Sequence, residues 1–320
     1  MSRARHLLGR LGFVLVVAYA VLSATFFFIA LAPDPNEVFV AAAAAMGGGD
    51  SEAAVDAYRA ARNRDSPLLV RYGRWLLAYS TFQWGQSRTL GEPVLALIGN
   101  RGWNTLVYAI PGLTVAAVGG LLTGMWNAIR PQSLAARMVA TGAVVVAALP
   151  SYWLGYLLAI LAFMHLGLSN FFIWADGSPF RPENLPRMAM AAVTIAAALL
   201  AVQTRYVRSG TAEFVRTPAA KLVRMKGGHD WHVARHALAL LGASFLTLFL
   251  TETLTVLFLG IYVIESVFDI PGFGALSLYA IRQRDIPLIL GTTFVPVVLG
   301  LLGTFLQDLV ETALDPRLDD

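Results

Sequence analysis

The chain has 320 residues, of which 57% are apolar and only 14% charged, and its mean hydropathy is +0.63. A soluble domain carries about 25% charged residues, so this composition is that of a membrane protein. The net charge of +4 is too small and too dispersed for a nucleic-acid surface, and with no cysteine the chain has no disulfide, thiolate metal site or thiol nucleophile.

Crossing about 30 Å of hydrocarbon takes about 20 helical residues. Six apolar runs meet or approach that length: Leu11–Leu31, Thr105–Trp126, Met138–Phe163, Met188–Thr204 (extended back toward Leu185), Ala237–Ile264 and Ile286–Leu306. The first could be a signal peptide with cleavage near Ala41–Ala45. Its 21 uninterrupted residues exceed the apolar core of about 7 to 15 residues in such peptides, and a retained anchor is expected.

Basic residues assign the sides. Arg3, Arg5 and Arg10, then Arg130 and Arg137, then Arg205, Arg208, Arg216, Lys221, Arg224, Lys226 and Arg235 fall on one side if the N-terminus is cytoplasmic. The expectation is an all-α protein of six spans with both termini inside. It divides into a tail and first span (1–32), an extracytoplasmic loop domain (33–103) and a core (104–320) that contains a cytoplasmic loop at 205–236.

Within the outer loop, Ser51–Asn63 has helical propensity, and "PLLVRYGRWLLAY" places Leu69, Tyr72, Trp75 and Leu76 on one helical face. That helix is expected at the headgroup interface or packed on the outer ends of the spans. Trp75, Trp84 and Trp103 suit an aromatic belt. In the third span "PSYWLG" begins at Pro150. Small residues at Gly120 and Gly124, Ser151 and Gly155, and Gly300 and Gly303 predict close helix packing.

In the cytoplasmic loop, Pro218 opens a short helix that Ala219, Ala220 and Lys221 continue to Lys226. Gly227 and Gly228 break it, and His229 or Asp230 starts the next. Such a hairpin, basic and apolar on its surface, can dock into a partner's groove; equally, it can be an ordinary positive-inside loop. His229, His232 and His236 share a helical face but lack a carboxylate, and no metal site is expected.

Glu252 is the single ionisable residue inside a span, a costly position that points it toward the bundle interior or a wet cavity. It either serves a transport path or is hydrogen-bonded to a neighbouring helix through Thr251, Thr253 or a partner. After the fifth span comes "ESVFDIPGFGALSLYAIRQRDIPL". Pro271, Gly272 and Gly274 are expected to stop the helix where freed backbone groups are tolerable, outside hydrocarbon or against a protein-lined cavity. Glu265 and Asp269 then lie at the outer mouth, as a gate or a contact for a binding protein, or in a solvated turn held by Arg282 or Arg284.

Enzyme chemistry is scarce. No G-x-x-x-x-G-K-[ST], HExxH or GxSxG occurs, and "GFGALS" lacks the third glycine of a dinucleotide loop. Ser151, Ser169 and Ser244 have no histidine at membrane depth to activate them. The chain is read as a non-enzyme without cofactor. A secondary transporter acting alone would need internal repeats and several intramembrane carboxylates; one carboxylate and no evident repeat are present.

Taken together, the motifs resemble the dipeptide/oligopeptide/nickel permease family of ABC importers. The loop "KLVRMKG" followed by "RHAL" is similar to that family's coupling segment, matching at Lys221, Lys226, Gly227 and His236. "LAPDP" (31–35), "SPLLVRYGRWL" with "WGQS" (84–87), "PSYWLG" (150–155), the Glu265, Phe268, Pro271, Gly272, Gly274 element with Arg284, Asp285 and Pro287, and the closing "ALDPRLDD" resemble its other landmarks in order. Departures are Ala219 in place of an aromatic, Met225 in place of an alanine, a spacing from Gly227 to His236 one residue short, and Ser244 where proline is common. The resemblance implies a pore-forming subunit in the plasma membrane that imports peptides or a related small solute such as nickel. It would be paired with a second homologous permease, two cytoplasmic ATPases and an extracytoplasmic solute-binding protein, and ATP closure would reach it through the loop at 218–235.

Overall fold

The structure is a computed structural model that describes residues 3–61, 66–166, 174–175 and 177–314. Ser169 and the closing residues 315–320 lie outside that set. Among the described residues the regular structure is helical: α1 (Arg3–Leu31), α2 (Pro35–Met46), α3 (Ser51–Ala61), α4 (Leu68–Ser80), α5 (Val94–Ile129), α6 (Leu134–Ala148), α7 (Ser151–Leu166), α8 (Leu185–Arg216), α9 (Pro218–Met225), α10 (Asp230–Thr255), α11 (Ile261–Phe268), α12 (Phe273–Gln283) and α13 (Ile286–Leu314). A π-helical turn, Val256–Gly260, joins α10 to α11 without breaking the rod.

Five segments are long and apolar enough to cross a membrane: Gly12–Met46, α5, α8, the rod Asp230–Phe268 and Ile286–Gln307. The pair α6 and α7 makes a sixth if the two count as one span, although their axes turn by 109°. The run Met138–Phe163, read from the sequence as one span, is thus divided at Pro150 into two helices. Leu149 precedes Pro150 and is extended (φ −92°, ψ 134°), the conformation that a following proline imposes; Pro150 also lacks the N–H that would continue the ladder.

The bundle is organised by α5 and α8, its most extensively packed pair. Close approach depends on glycine. A Cβ at Gly112 would lie 2.7 Å from the Ala192 carbonyl oxygen, one at Gly120 would overlap Gln203 Cβ, and one at Gly124 would lie 2.7 Å from Val207 Cβ. Thus 112, 120 and 124 meet 192, 203 and 207, and the two helices run parallel. Without water to drive association, close van der Waals contact of this kind holds membrane helices together. Gly155 likewise seats against Phe268 of α11, and Gly300 and Gly303 of α13 against Phe258 and Leu254.

The segment after α1 contains a helix that the sequence pattern hid. In "LAPDP", Asp34 accepts the Asn36 N–H at 3.0 Å and starts α2, with Pro35 at its first position. The other Asp34 oxygen accepts the Tyr58 hydroxyl of α3 at 3.0 Å. On α4, Leu69 is 75% exposed and Tyr79 is buried, so the packed face is Tyr72, Trp75 and Tyr79 rather than one that includes Leu69. Rings run continuously from Phe26 and Phe27 through Tyr72, Trp75 and Tyr79 to Trp84 and Phe294. Trp84 is therefore core and not belt; its Nε1–H donates to the Tyr79 carbonyl at 3.2 Å. Trp103 remains exposed.

Candidate functional site

The polar break after α11 is built around Glu265. Its Oε1 accepts the hydroxyls of Thr105 (2.6 Å) and Tyr108 (2.9 Å) from α5, and its Oε2 accepts the Ala275 N–H (2.8 Å) in the first turn of α12. A carboxylate at a helix N-terminus meets unpaired N–H groups and the positive end of the dipole. Thr105 completes the cap, because its hydroxyl oxygen accepts the Phe273 N–H at 2.8 Å. The glycines make room. A Cβ on Gly272 would occupy the Glu265 carboxylate, and one on Gly274 would lie 2.9 Å from the Tyr262 backbone.

Glu265 is only 1% exposed, which rules out the solvated turn offered as one alternative for it. The helix also stops earlier than Pro271. Asp269 takes the left-handed conformation (φ 50°) as C-cap, and the Ile270 N–H bonds the Glu265 carbonyl at 3.0 Å. Neither Arg282 nor Arg284 holds the turn; both are exposed, and Arg284 is itself the left-handed cap of α12. The holding arginine is Arg187 of α8, wholly buried, whose Nη1 is 3.4 Å from the Asp269 carbonyl oxygen and 3.9 Å from its carboxylate. The Asp269 side chain itself stays 65% exposed.

Pro271 keeps an interhelical role through its carbonyl, which accepts Asn104 Nδ2 at 2.9 Å and Arg101 Nη1 at 3.4 Å. Those two donors, with Glu92, Asn100, Trp174 and Gly177, line a recess of about 500 Å³ beside the break. Sequence inspection missed Thr105, Tyr108, Asn104, Arg101 and Arg187. Thr105 and Asn104 are uncharged and sit at the edge of an apolar run, and Arg187 sits at the edge of the fourth span, where a basic residue is ordinary; none shows its partner in the local pattern.

The second polar joint is at Asp285. Oδ2 accepts the Ser87 hydroxyl (2.6 Å), the Thr89 N–H (3.0 Å) and the Thr89 hydroxyl (2.9 Å), so "WGQS" and the Arg284–Asp285 element form one unit. Burial alone pushes this carboxyl up; the hydrogen bonds from Ser87, Thr89 and Leu288 outweigh it and hold Asp285 below the ordinary aspartate value.

At the other end of the spans, α8 ends and α9 turns back. The Thr217 hydroxyl accepts the Ala220 N–H at 3.3 Å, and Pro218 occupies the first turn. Gly227 is left-handed (φ +80°), and a Cβ on Gly228 would lie 2.6 Å from the Val223 carbonyl oxygen. The hairpin seats on Ala220 and Val223 against Phe214, Val233 and Ala237. Pro218, Ala219, Lys221, Leu222, Arg224, Met225, Lys226 and His236 face outward. His229 N–H caps onto His232 Nδ1 at 3.2 Å. Among the described residues no three His, Asp or Glu side chains converge as a metal site.

Midway, Glu252 is half-buried and accepts Gln203 Nε2 at 2.6 Å. Its partner is this wholly buried amide of α8, not Thr251 or Thr253, whose neighbour Thr251 bonds its own helix at Thr247. Ser244 is exposed on α10.

A helical bundle with five or six spans, joints of buried polar groups and a docked hairpin at one end has the architecture of a membrane permease. The chain belongs to the family of binding-protein-dependent transport system inner membrane components, which it matches over residues 120–320. It is a multi-pass inner-membrane transport component rather than a catalytic enzyme. Among its relatives, a Brucella ovis protein named "Putative peptide permease protein" is 30% identical over 98% of each chain. The "Metal-staphylopine import system permease protein CntB" of Staphylococcus aureus is 28% identical over 79% of each. A Brucella abortus protein named "Putative peptide transport system permease protein" is 28% identical over 98% of each.

Proposed function

We propose that the chain is the pore-forming subunit of an ATP-driven importer of peptides or a related small solute, paired with a second homologous permease, two cytoplasmic ATPases and an extracytoplasmic solute-binding protein. In this reading both termini and the α9 hairpin are cytoplasmic, residues 33–103 form an outer domain, and the recess lined by Arg101 and Asn104 is the outer mouth. The names carried by the Brucella relatives support a peptide cargo, and that of the Staphylococcus relative, a metal-staphylopine import permease, supports a metal-containing solute as a variant.

The observation that carries the reading is the hairpin. Its inner face is fixed to the ends of α8 and α10 by the Phe214, Ala220 and Val233 contacts, while Leu222 (48% exposed) and Met225 (77% exposed) present apolar surface among Lys221, Arg224 and Lys226. A short helix bound this tightly to two spans transmits a push on its outer face into the bundle. The test is Gly227→Val with Gly228→Val in membranes carrying the whole complex. Uptake is expected to fail while the permease pair still assembles; full uptake with normal ATPase co-purification refutes coupling through α9.

A further inference from the structure

A cavity of about 650 Å³ opens between α6 and α8, with Leu248 of α10 contributing to its wall. Part of its lining is hydrocarbon: Ala140, Ala143 and Val144 of α6 and Val202 of α8. The rest includes Arg205, Arg208 and Ser209. Along α8 these arginines are the first charges after the apolar run that ends at Thr204, so the cavity straddles the depth where hydrocarbon gives way to headgroups. A spacing of three places both guanidiniums on one face of α8, and Ser209 follows Arg205 by four.

Among the described residues neither Arg205 nor Arg208 has an ion pair, whereas Arg130 at the same end of the bundle is matched by Asp230 at 2.8 Å. Glu252, one turn along α10 from Leu248, accepts Gln203 instead of meeting an arginine. Val144 is 54% exposed at the cavity's edge, and Met138 and Val145 nearby on α6 are also exposed apolar side chains.

We propose that this cavity binds one anionic phospholipid, its phosphate between Arg205 and Arg208 and an acyl chain along Ala140, Ala143, Val144 and Val202. Guanidinium forks match the geometry of a phosphate with paired, charge-assisted hydrogen bonds. Basic pockets between membrane helices on the cytoplasmic side select anionic lipids, and that side is assigned here by the orientation proposed above. A transported solute bearing a carboxylate would meet the arginines equally well but has no use for the apolar wall that continues toward the membrane interior.

The test uses the assembled complex in phosphatidylcholine nanodiscs, probed with phosphatidylglycerol, additional phosphatidylcholine, inorganic phosphate or an acidic dipeptide. Phosphatidylglycerol is expected to raise the unfolding temperature and to survive as a bound adduct in native mass spectrometry; the other three are not. Arg205→Ala with Arg208→Ala should weaken its retention roughly tenfold or more, the loss of charge-assisted hydrogen bonds. Ala140→Trp keeps both guanidiniums and fills the acyl slot, so it should abolish retention too, and it decides the matter if the double variant fails to assemble. Equal retention of the two lipids, retention by Ala140→Trp, or the same shift from inorganic phosphate or the dipeptide overturns the proposal. Because the readout is lipid binding and not uptake, its failure leaves the coupling role of α9 standing, and the reverse also holds.

Discussion

Thr105 and Glu265, 160 residues apart in sequence, share a 2.6 Å hydrogen bond that fixes α5 to α11. Thr105 both donates to the carboxylate and accepts the Phe273 N–H. Thr105→Val should therefore leave the buried Phe273 N–H without its acceptor and take one hydrogen bond from a carboxylate that keeps those of Tyr108 and Ala275, at a cost of about 1–3 kcal/mol before relaxation. Gly272→Ala should be at least as damaging, since its methyl would displace the carboxylate. Pro271→Ala should be milder than either, because the carbonyl that Asn104 uses is retained and the helix has already ended at Asp269. Thermal unfolding of the purified chain ranks the three; a Pro271→Ala variant less stable than Gly272→Ala would contradict this account.

The residues that could be read from sequence and those that could not differ in a physical way. Pro271, Gly272 and Gly274 are visible as punctuation in an apolar background, but the reason for Gly272 is a carboxylate seven residues earlier in the chain and on the other side of a turn. Pro218 and Gly227 act through their own backbone, so the α9 hairpin was legible locally. The break at Pro150 was not read, because an uncharged run that continues on both sides of it counts as one span when only hydropathy is used. Arg187, Gln203 and Tyr108 owe their meaning to partners on other helices, and local pattern carries no information about those.

Asp285 gives a pH prediction. Its folded-state value is depressed, so the native protein binds this proton less readily than the unfolded chain. The stabilisation is complete above the unfolded aspartate value of about 4 and is lost as pH falls through the lower folded value. Asp285→Asn should be destabilised at pH 7, and its deficit relative to the parent chain should shrink in acid below about pH 4. Unfolding curves of both proteins across that range provide the check, and a deficit that stays constant with pH contradicts the assignment.

The α5–α8 seam makes a contrast between glycines. At Gly120 an added methyl overlaps Gln203, whereas at Gly142 of α6 nothing lies within 4 Å. Gly120→Ala should cost about 1–3 kcal/mol as overpacking. Gly142→Ala should be neutral or stabilising by up to about 1 kcal/mol, the helix-propensity gain. Comparable losses at both sites would show that the seam is not the tight contact described.

The last prediction concerns Gln203 and Glu252. Gln203 is wholly buried, is held from behind by Gly120, and donates its amide to Glu252 at 2.6 Å. Gln203→Leu removes the donor and leaves a carboxyl group alone at membrane depth, where an unpaired charge costs about 2.5–3.5 kcal/mol on insertion scales. That variant should assemble poorly. Glu252→Gln keeps an acceptor for the same amide and removes the charge, so assembly and most uptake should persist if Glu252 serves to join α8 to α10. Gln203→Leu combined with Glu252→Leu should recover part of the stability lost by Gln203→Leu alone, because replacing both members of a buried polar pair costs less than orphaning one. Assembly is read as the yield of monodisperse complex and function as solute uptake in the same membranes. Loss of uptake in a well-assembled Glu252→Gln protein would instead place the carboxylate on the transport path and overturn its assignment as a helix-joining group.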